Sequence, residues 1–149
     1  MKALSPNQMA WLLPITIFIH QLEEYFAHFP LWYSNLLDAN LSEQDFILIN
    51  AIGLFVFMAV ALSYLFNKNK IILVALGTLV FVNGIVHALL SLFTFSYSPG
   101  TISGLVLFIP LGIIIFIRIL PHLREAEKII AITIGIFVLF AVSLIAINI

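Results

Sequence analysis

The chain has 149 residues, of which 63% are hydrophobic and 9% charged, with a formal net charge of -1 and no cysteine. A mean hydropathy of +1.20 leaves too little polar surface to cover a water-soluble globule, so the chain reads as an integral membrane protein. The charge balance argues against nucleic acid as a partner, and the lack of cysteine excludes disulfides, thiolate metal sites and cysteine nucleophiles.

Apolar windows fall at roughly 8–28, 46–66, 71–93, 101–120 and 129–148, each long enough to cross a bilayer as a helix. The expectation is an all-α, polytopic transmembrane bundle of five spans, a single transmembrane domain over residues 1–149. The N-terminal apolar stretch follows a lysine, as in a signal peptide, but no small-residue cleavage site comes after it, so it reads as a retained first span.

Span one opens with Ser5 as N-cap and Pro6 at the first helical position. Further along it carries His20-Gln21-Leu22-Glu23-Glu24. Insertion scales charge about 2.5 to 3.5 kcal/mol for an acidic residue at a helix centre and return only about 0.3 to 0.6 per Leu, Ile, Phe or Val. Two glutamates cancel on the order of ten good apolar residues, so a plain anchor would not carry them. At 100° per residue, Glu23 stands about -60° and Glu24 about +40° from His20, with Thr16 about -40°, all on one face. His28, at about +80°, falls on the edge of that face and reads as interfacial.

After Pro30, the run Leu31-Trp32-Tyr33-Ser34-Asn35-Leu36-Leu37 suits a segment lying at the membrane interface. A short acidic loop with Asp38, Glu43 and Asp45 leads into span two, where Asn50 is the polar residue of the outer half. Span three carries a second polar stripe, Asn83, His87, Ser91 and Thr94. Gly84 and Ala88 on span three, with Gly100 and Gly104 at the start of span four, match small-xxx-small packing patterns. Between them, Tyr97-Ser98-Pro99-Gly100 places Pro and Gly at the central positions of a type II turn. The amides opening span four favour an anion there, for which a lipid phosphate is one candidate. Thr101 and Ser103 belong to the same outer region, and Pro110 is positioned to kink span four. His122 lies on a charged loop and reads as solvated.

All six Lys and Arg fall on one side of the five-span arrangement: Lys2 before span one, Lys68 and Lys70 between spans two and three, and Arg118, Arg124 and Lys128 around the last connection. The positive-inside rule then makes the N-terminus cytoplasmic and the C-terminus external. Spans one and three run the same way. His20 and Asn83 fall near the mid-plane, with Glu24 and His87 roughly 8 Å further out at 1.5 Å per residue. The two polar stripes therefore meet at matching depths.

Two imidazoles and a carboxylate suit a divalent metal such as zinc or iron. The metal-ligand candidates are His20, Glu23, Glu24 and His87, with one of the two glutamates as ligand and the other handling a proton. Asn83 positions or polarises a substrate. Without a metal, the same groups would share protons.

Taken together, His20-x-x-Glu23-Glu24, Asn83-x-x-x-His87 and Tyr97-x-Pro99-Gly100 resemble the signature of the HXXEE-motif membrane proteins. The resemblance runs from span one to the start of span four. It implies a small integral-membrane family, found mainly in prokaryotes and regarded as candidate enzymes because of its polar motifs, with no substrate attached. It adds Tyr97 to the catalytic candidates Glu23, Glu24 and Asn83, and Pro99 and Gly100 as a supporting turn.

The leading functional expectation is a metal-dependent enzyme of the prokaryotic cell membrane, acting on a lipid or isoprenoid-like molecule that reaches an outer-leaflet-facing site. The competing expectations are a metal-free acid/base isomerase, similar to the membrane sterol isomerases in its use of His and Glu, and a proton-coupled transporter or metal-ion carrier.

Overall fold

A computed structural model describes residues 4–148; Lys2 lies outside the described residues. Those residues form six helices and no strand: α1 (Pro6–Phe26), α2 (Phe29–Leu37), α3 (Glu43–Asn67), α4 (Lys70–Thr94), α5 (Thr101–His122) and α6 (Glu125–Asn148). An apolar solvent cannot satisfy backbone amides and carbonyls, so helices that bond internally are the expected solution.

The helix ends follow local chemistry. Ser5 Oγ accepts from the Gln8 amide at 3.3 Å while Gln8 Oε1 accepts from the Ser5 amide at 2.8 Å, a capping box with Pro6 in the first turn. Asn69 Oδ1 accepts from the amides of Ile71 and Ile72 and starts α4. The segment around Pro30 forms the short α2, bounded on both sides by left-handed residues, His28 at φ 55° and Asp38 at φ 52°.

α5 is not a uniform α-helix. It opens with Thr101–Ser103, widens to a π turn over Gly104–Phe108, returns to α-helix over Ile109–Arg118 and ends in a 3-10 turn over Leu120–His122. The π turn directly precedes Pro110, whose ring would press on the carbonyl four residues back and which has no N–H to donate. The Ile109 amide instead reaches Gly104 O, and the wider turn accommodates the proline.

Four helices, α3 to α6, are long and apolar enough to cross a membrane, not the five expected. The shortfall is α1. Its 21 residues are sufficient in length, but they include Pro14, Thr16, His20, Gln21, Glu23 and Glu24, and those polar groups lower its hydropathy below that of its neighbours. α1 packs chiefly against α3 and also touches α2, α4 and α5, where its polar groups find partners.

α4 is the central element, packed against α5 and α6. The core between them holds Leu73, Val74, Val80, Phe108 and Ile115, with Met9 and Leu13 from α1. α4 and α5 approach at Gly84, where an added Cβ would lie 2.8 Å from Gly104 O, as the small-residue pattern predicts. At the opposite end of α4, Lys68 Nζ donates to Asn7 Oδ1 at 3.0 Å. Leu4, Pro6 and Met9 there line a cavity with Arg118 and His122. The start of α1, the start of α4 and the end of α5 thus share one cationic end, and α1 and α4 run parallel.

Candidate functional site

At the other end, α1 presents His20 and Glu24 one turn apart on its buried face, 2% and 6% exposed, and the parallel α4 brings His87, 4% exposed, to the same depth. Glu24 Oε1 is 3.4 Å from His20 Nε2 and 3.4 Å from His87 Nε2. The two imidazoles meet edge to face with ring centres 5.0 Å apart. One ligand atom from each of the three residues lies within 4.8 Å of the others, so the group could hold a metal ion.

Those separations are compatible with a shared ion. A charge-assisted N–H···O bond is about 2.7 to 2.9 Å long, and both contacts are well beyond it. Ligand atoms about 2.0 to 2.1 Å from a tetrahedral zinc ion stand about 3.3 to 3.4 Å apart along the tetrahedron's edge. The two contacts to Glu24 have that spacing, and all three ligand atoms lie within 4.8 Å of one another.

The far side of each imidazole rests on a serine. His20 Nδ1 is 2.8 Å from Ser103 Oγ and His87 Nδ1 is 3.2 Å from Ser98 Oγ. Ser103 lies in the first turn of α5 and Ser98 in the α4–α5 connection. Its turn is the type II turn foreseen: the Thr101 amide donates to Ser98 O at 3.0 Å and Gly100 sits at φ 95°, ψ -7°. Gly100 is the surface on which both rings lie, since a Cβ there would be 2.6 Å from His20 Cε1 and 3.0 Å from His87 Cε1. Phe108, fully buried in the π turn, covers His20 at a ring separation of 4.3 Å, and Phe29 of α2 stands 6.0 Å from His87.

Glu23, one residue from Glu24, faces elsewhere and is not in the three-residue group. Its Oε1 accepts from Tyr97 Oη at 2.6 Å and the Ile102 amide at 2.9 Å, and its Oε2 accepts from the Ser103 amide at 2.6 Å. The anion at the start of α5 is therefore this carboxylate, which takes the place suggested for a lipid phosphate. Partial burial, together with the hydrogen bond to Glu23 and its charge, pushes the Tyr97 phenol up to about 12.

Asn83 Nδ2 lies 3.4 Å from His20 Nε2 and is the partly exposed polar group beside the buried cluster. Thr101 supports the turn through His87 O and Ser98 O. Other polar residues lie outside the cluster. Thr16 donates to Leu13 O in its own helix. Asn50, expected with the site, donates to Phe46 O, while its carbonyl accepts from Gln21 Nε2 at 2.9 Å and joins α3 to α1. His28 and His122 are exposed.

Sequence reasoning missed Ser98 and Phe108. Ser98 is the variable position of Tyr-x-Pro-Gly, and its placement inside the turn was the available signal; Phe108 sits in an unbroken apolar run and gave none.

No curated protein and no solved structure matches the chain. A family model described as a protein of unknown function with HXXEE motif matches residues 11–115, which span α1 to the middle of α5 and include every residue of the cluster. The chain belongs to the HXXEE-motif family.

Proposed function

We propose that this protein is an intramembrane, metal-dependent hydrolase whose centre is His20, Glu24 and His87, acting on a lipid or isoprenoid-like substrate. One observation carries the reading: a single carboxylate oxygen stands 3.4 Å from two imidazole Nε2 atoms, at tetrahedral ligand spacing. Three protein ligands leave a fourth position free, the arrangement of catalytic rather than structural zinc sites. A divalent cation bound there would supply Lewis acidity and lower the pKa of a bound water.

The chain's own residues have distinct roles in this reading. His20, Glu24 and His87 hold the ion. Asn83, partly exposed beside His20 Nε2, binds and orients a substrate oxygen. Glu23 is committed to Tyr97 and to the first amides of α5, so it holds the connection in place and leaves Glu24 as the carboxylate of the centre.

The cationic residues Lys68, Lys70, Arg118, Arg124 and Lys128 favour a cytoplasmic position for the opposite end of the bundle. This orients the N-terminus inwards and the C-terminus outwards and puts the centre in the outer half of the prokaryotic cell membrane. α1 runs alongside the four apolar helices, packed against α3, α4 and α5.

A shared proton among the same three residues, as in an acid/base isomerase, is the principal alternative, and the metal content of the purified protein separates the two. A carrier needs polar groups that continue to both faces. Towards the cationic end, Thr16 and Thr78 bond back to Leu13 O and Val74 O among Met9, Leu13, Leu73 and Val80, which favours a blind pocket.

The test is a comparison of lipid extracts from cells producing the wild-type chain or Glu24→Gln at equal levels. A lipid class that accumulates in Glu24→Gln and is consumed by purified wild-type protein supports the enzyme. Identical lipid profiles, with zinc or proton flux into proteoliposomes that Glu24→Gln abolishes, would replace the enzyme with a carrier.

A further inference from the structure

A neutral imidazole has one N–H and one lone pair, and the partner of one nitrogen decides which state the other takes. Ser103 is the informative partner. Its Oγ lies 2.8 Å from His20 Nδ1 and 3.4 Å from Gly100 O, so it can accept from the ring while donating to the carbonyl. In that arrangement Nδ1 carries the ring proton. On the other side of the ring, the Asn83 Nδ2 amide, which can only donate, faces His20 Nε2 at 3.4 Å. Both contacts accommodate the same tautomer, Nδ1–H with an unprotonated Nε2.

The serine is itself held. Its amide donates to Glu23 Oε2 at 2.6 Å, so Glu23 of α1 fixes the residue that fixes His20, one turn earlier on the same helix. Ser98 has the matching position for His87, with Oγ 3.2 Å from Nδ1. Its own backbone is fixed on both sides, the amide donating to Ser91 Oγ at 2.8 Å and the carbonyl accepting from the Thr101 amide at 3.0 Å. Ser98 is fully buried and Ser103 nearly so, so neither hydroxyl is there for solvation.

We infer that Ser103 and Ser98 are the positioning residues of the metal centre: each accepts the Nδ1 proton of one histidine and thereby aims the two Nε2 lone pairs at one point beside Glu24 Oε1. This rests on the metal-centre reading above and adds to it a reason for the paired glutamates. Glu24 supplies a ligand oxygen, and Glu23 holds the backbone that carries the hydroxyl behind His20. Partners of this kind in metal sites typically change affinity about 10- to 100-fold when removed.

The experiment uses the full chain in detergent, with zinc alone as probe, titrated by competition with a chromophoric chelator. Ser103→Ala and Ser98→Ala are expected to bind zinc about 10- to 100-fold more weakly than wild type, and Ser103→Thr, which keeps the hydroxyl, to restore binding. A second readout is the nitrogen spectrum of metal-free, 15N-histidine-labelled protein at alkaline pH, where the pyrrole-type nitrogen of His20 is expected to be Nδ1 in wild type and divided between the two nitrogens in Ser103→Ala. Unchanged zinc affinity in both alanine variants, or a wild-type His20 protonated on Nε2, overturns the serine assignment and leaves the metal centre standing. Wild-type protein that binds no zinc overturns both.

Discussion

A Cβ placed on Gly100 would lie 2.6 Å from Cε1 of His20, although His20 belongs to α1 and Gly100 to the turn before α5. The contact makes Gly100 part of the site in two ways. Its φ of 95° disfavours any L side chain, and its missing side chain is the space the two imidazoles occupy.

Gly100→Ala is therefore expected to cost about 1 to 2 kcal/mol from the left-handed backbone alone, with a further loss from displaced rings. Thermal unfolding in detergent measures the first, and zinc titration the second. Alanine tolerated with wild-type stability and zinc affinity would show that the rings do not rest on this turn.

The adjacent glutamates should separate cleanly. Glu24→Gln is expected to abolish zinc binding. Glu23→Gln removes a charged acceptor from two helix-opening amides and is expected to destabilise by about 0.5 to 2 kcal/mol, the range of a lost helix cap, while retaining weakened zinc binding. Identical behaviour of the two variants in unfolding and zinc titration would contradict the division of roles.

Tyr97 offers a pH readout outside the helices. A free tyrosine titrates near pH 10, and the Tyr97 phenol is pushed up to about 12 by partial burial and by Glu23. The raised value means the fold favours the neutral phenol. Its contribution is complete below about pH 10 and is lost as the pH rises through about 12. Absorbance at the phenolate band, with Tyr97→Phe subtracted, is expected to show this late titration in wild type and an earlier one in Glu23→Gln.

Much of the site was legible because helical geometry is regular. The 100° step put His20 and Glu24 on one face, and the 1.5 Å rise matched their depths to Asn83 and His87, which stand 3.4 Å from His20 Nε2 and Glu24 Oε1 respectively. The type II turn followed from Pro99 and Gly100. What escaped depended on chain reversal. Nothing local tells Glu23 that Ile102 and Ser103 will present their amides to it, or tells Ser98 that it will face His87. The fifth span failed on hydropathy because the polar residues that build the site are the ones that reduce it in α1, and Asn50 stays out of the site because its side chain bonds back to Phe46 O, leaving only its backbone carbonyl to meet Gln21.

Packing between α4 and α5 should set the geometry of the whole centre. Gly84→Leu forces a side chain into Gly104, whose backbone oxygen lies 2.8 Å from the first added carbon. A destabilisation of about 1 to 3 kcal/mol is expected from overpacking, together with loss of zinc binding as α5 moves Ser103 away from His20. An unchanged unfolding temperature would contradict the close approach of the two helices.

The most direct test of the central claim is the zinc content of the full chain after equilibrium dialysis against buffered free zinc, compared among wild type, His20→Ala, Glu24→Ala and His87→Ala. The account predicts one ion per chain in wild type and none in any of the three variants, each still helical by circular dichroism. Wild-type protein without zinc, or variants that keep it, would contradict a centre built from these three residues.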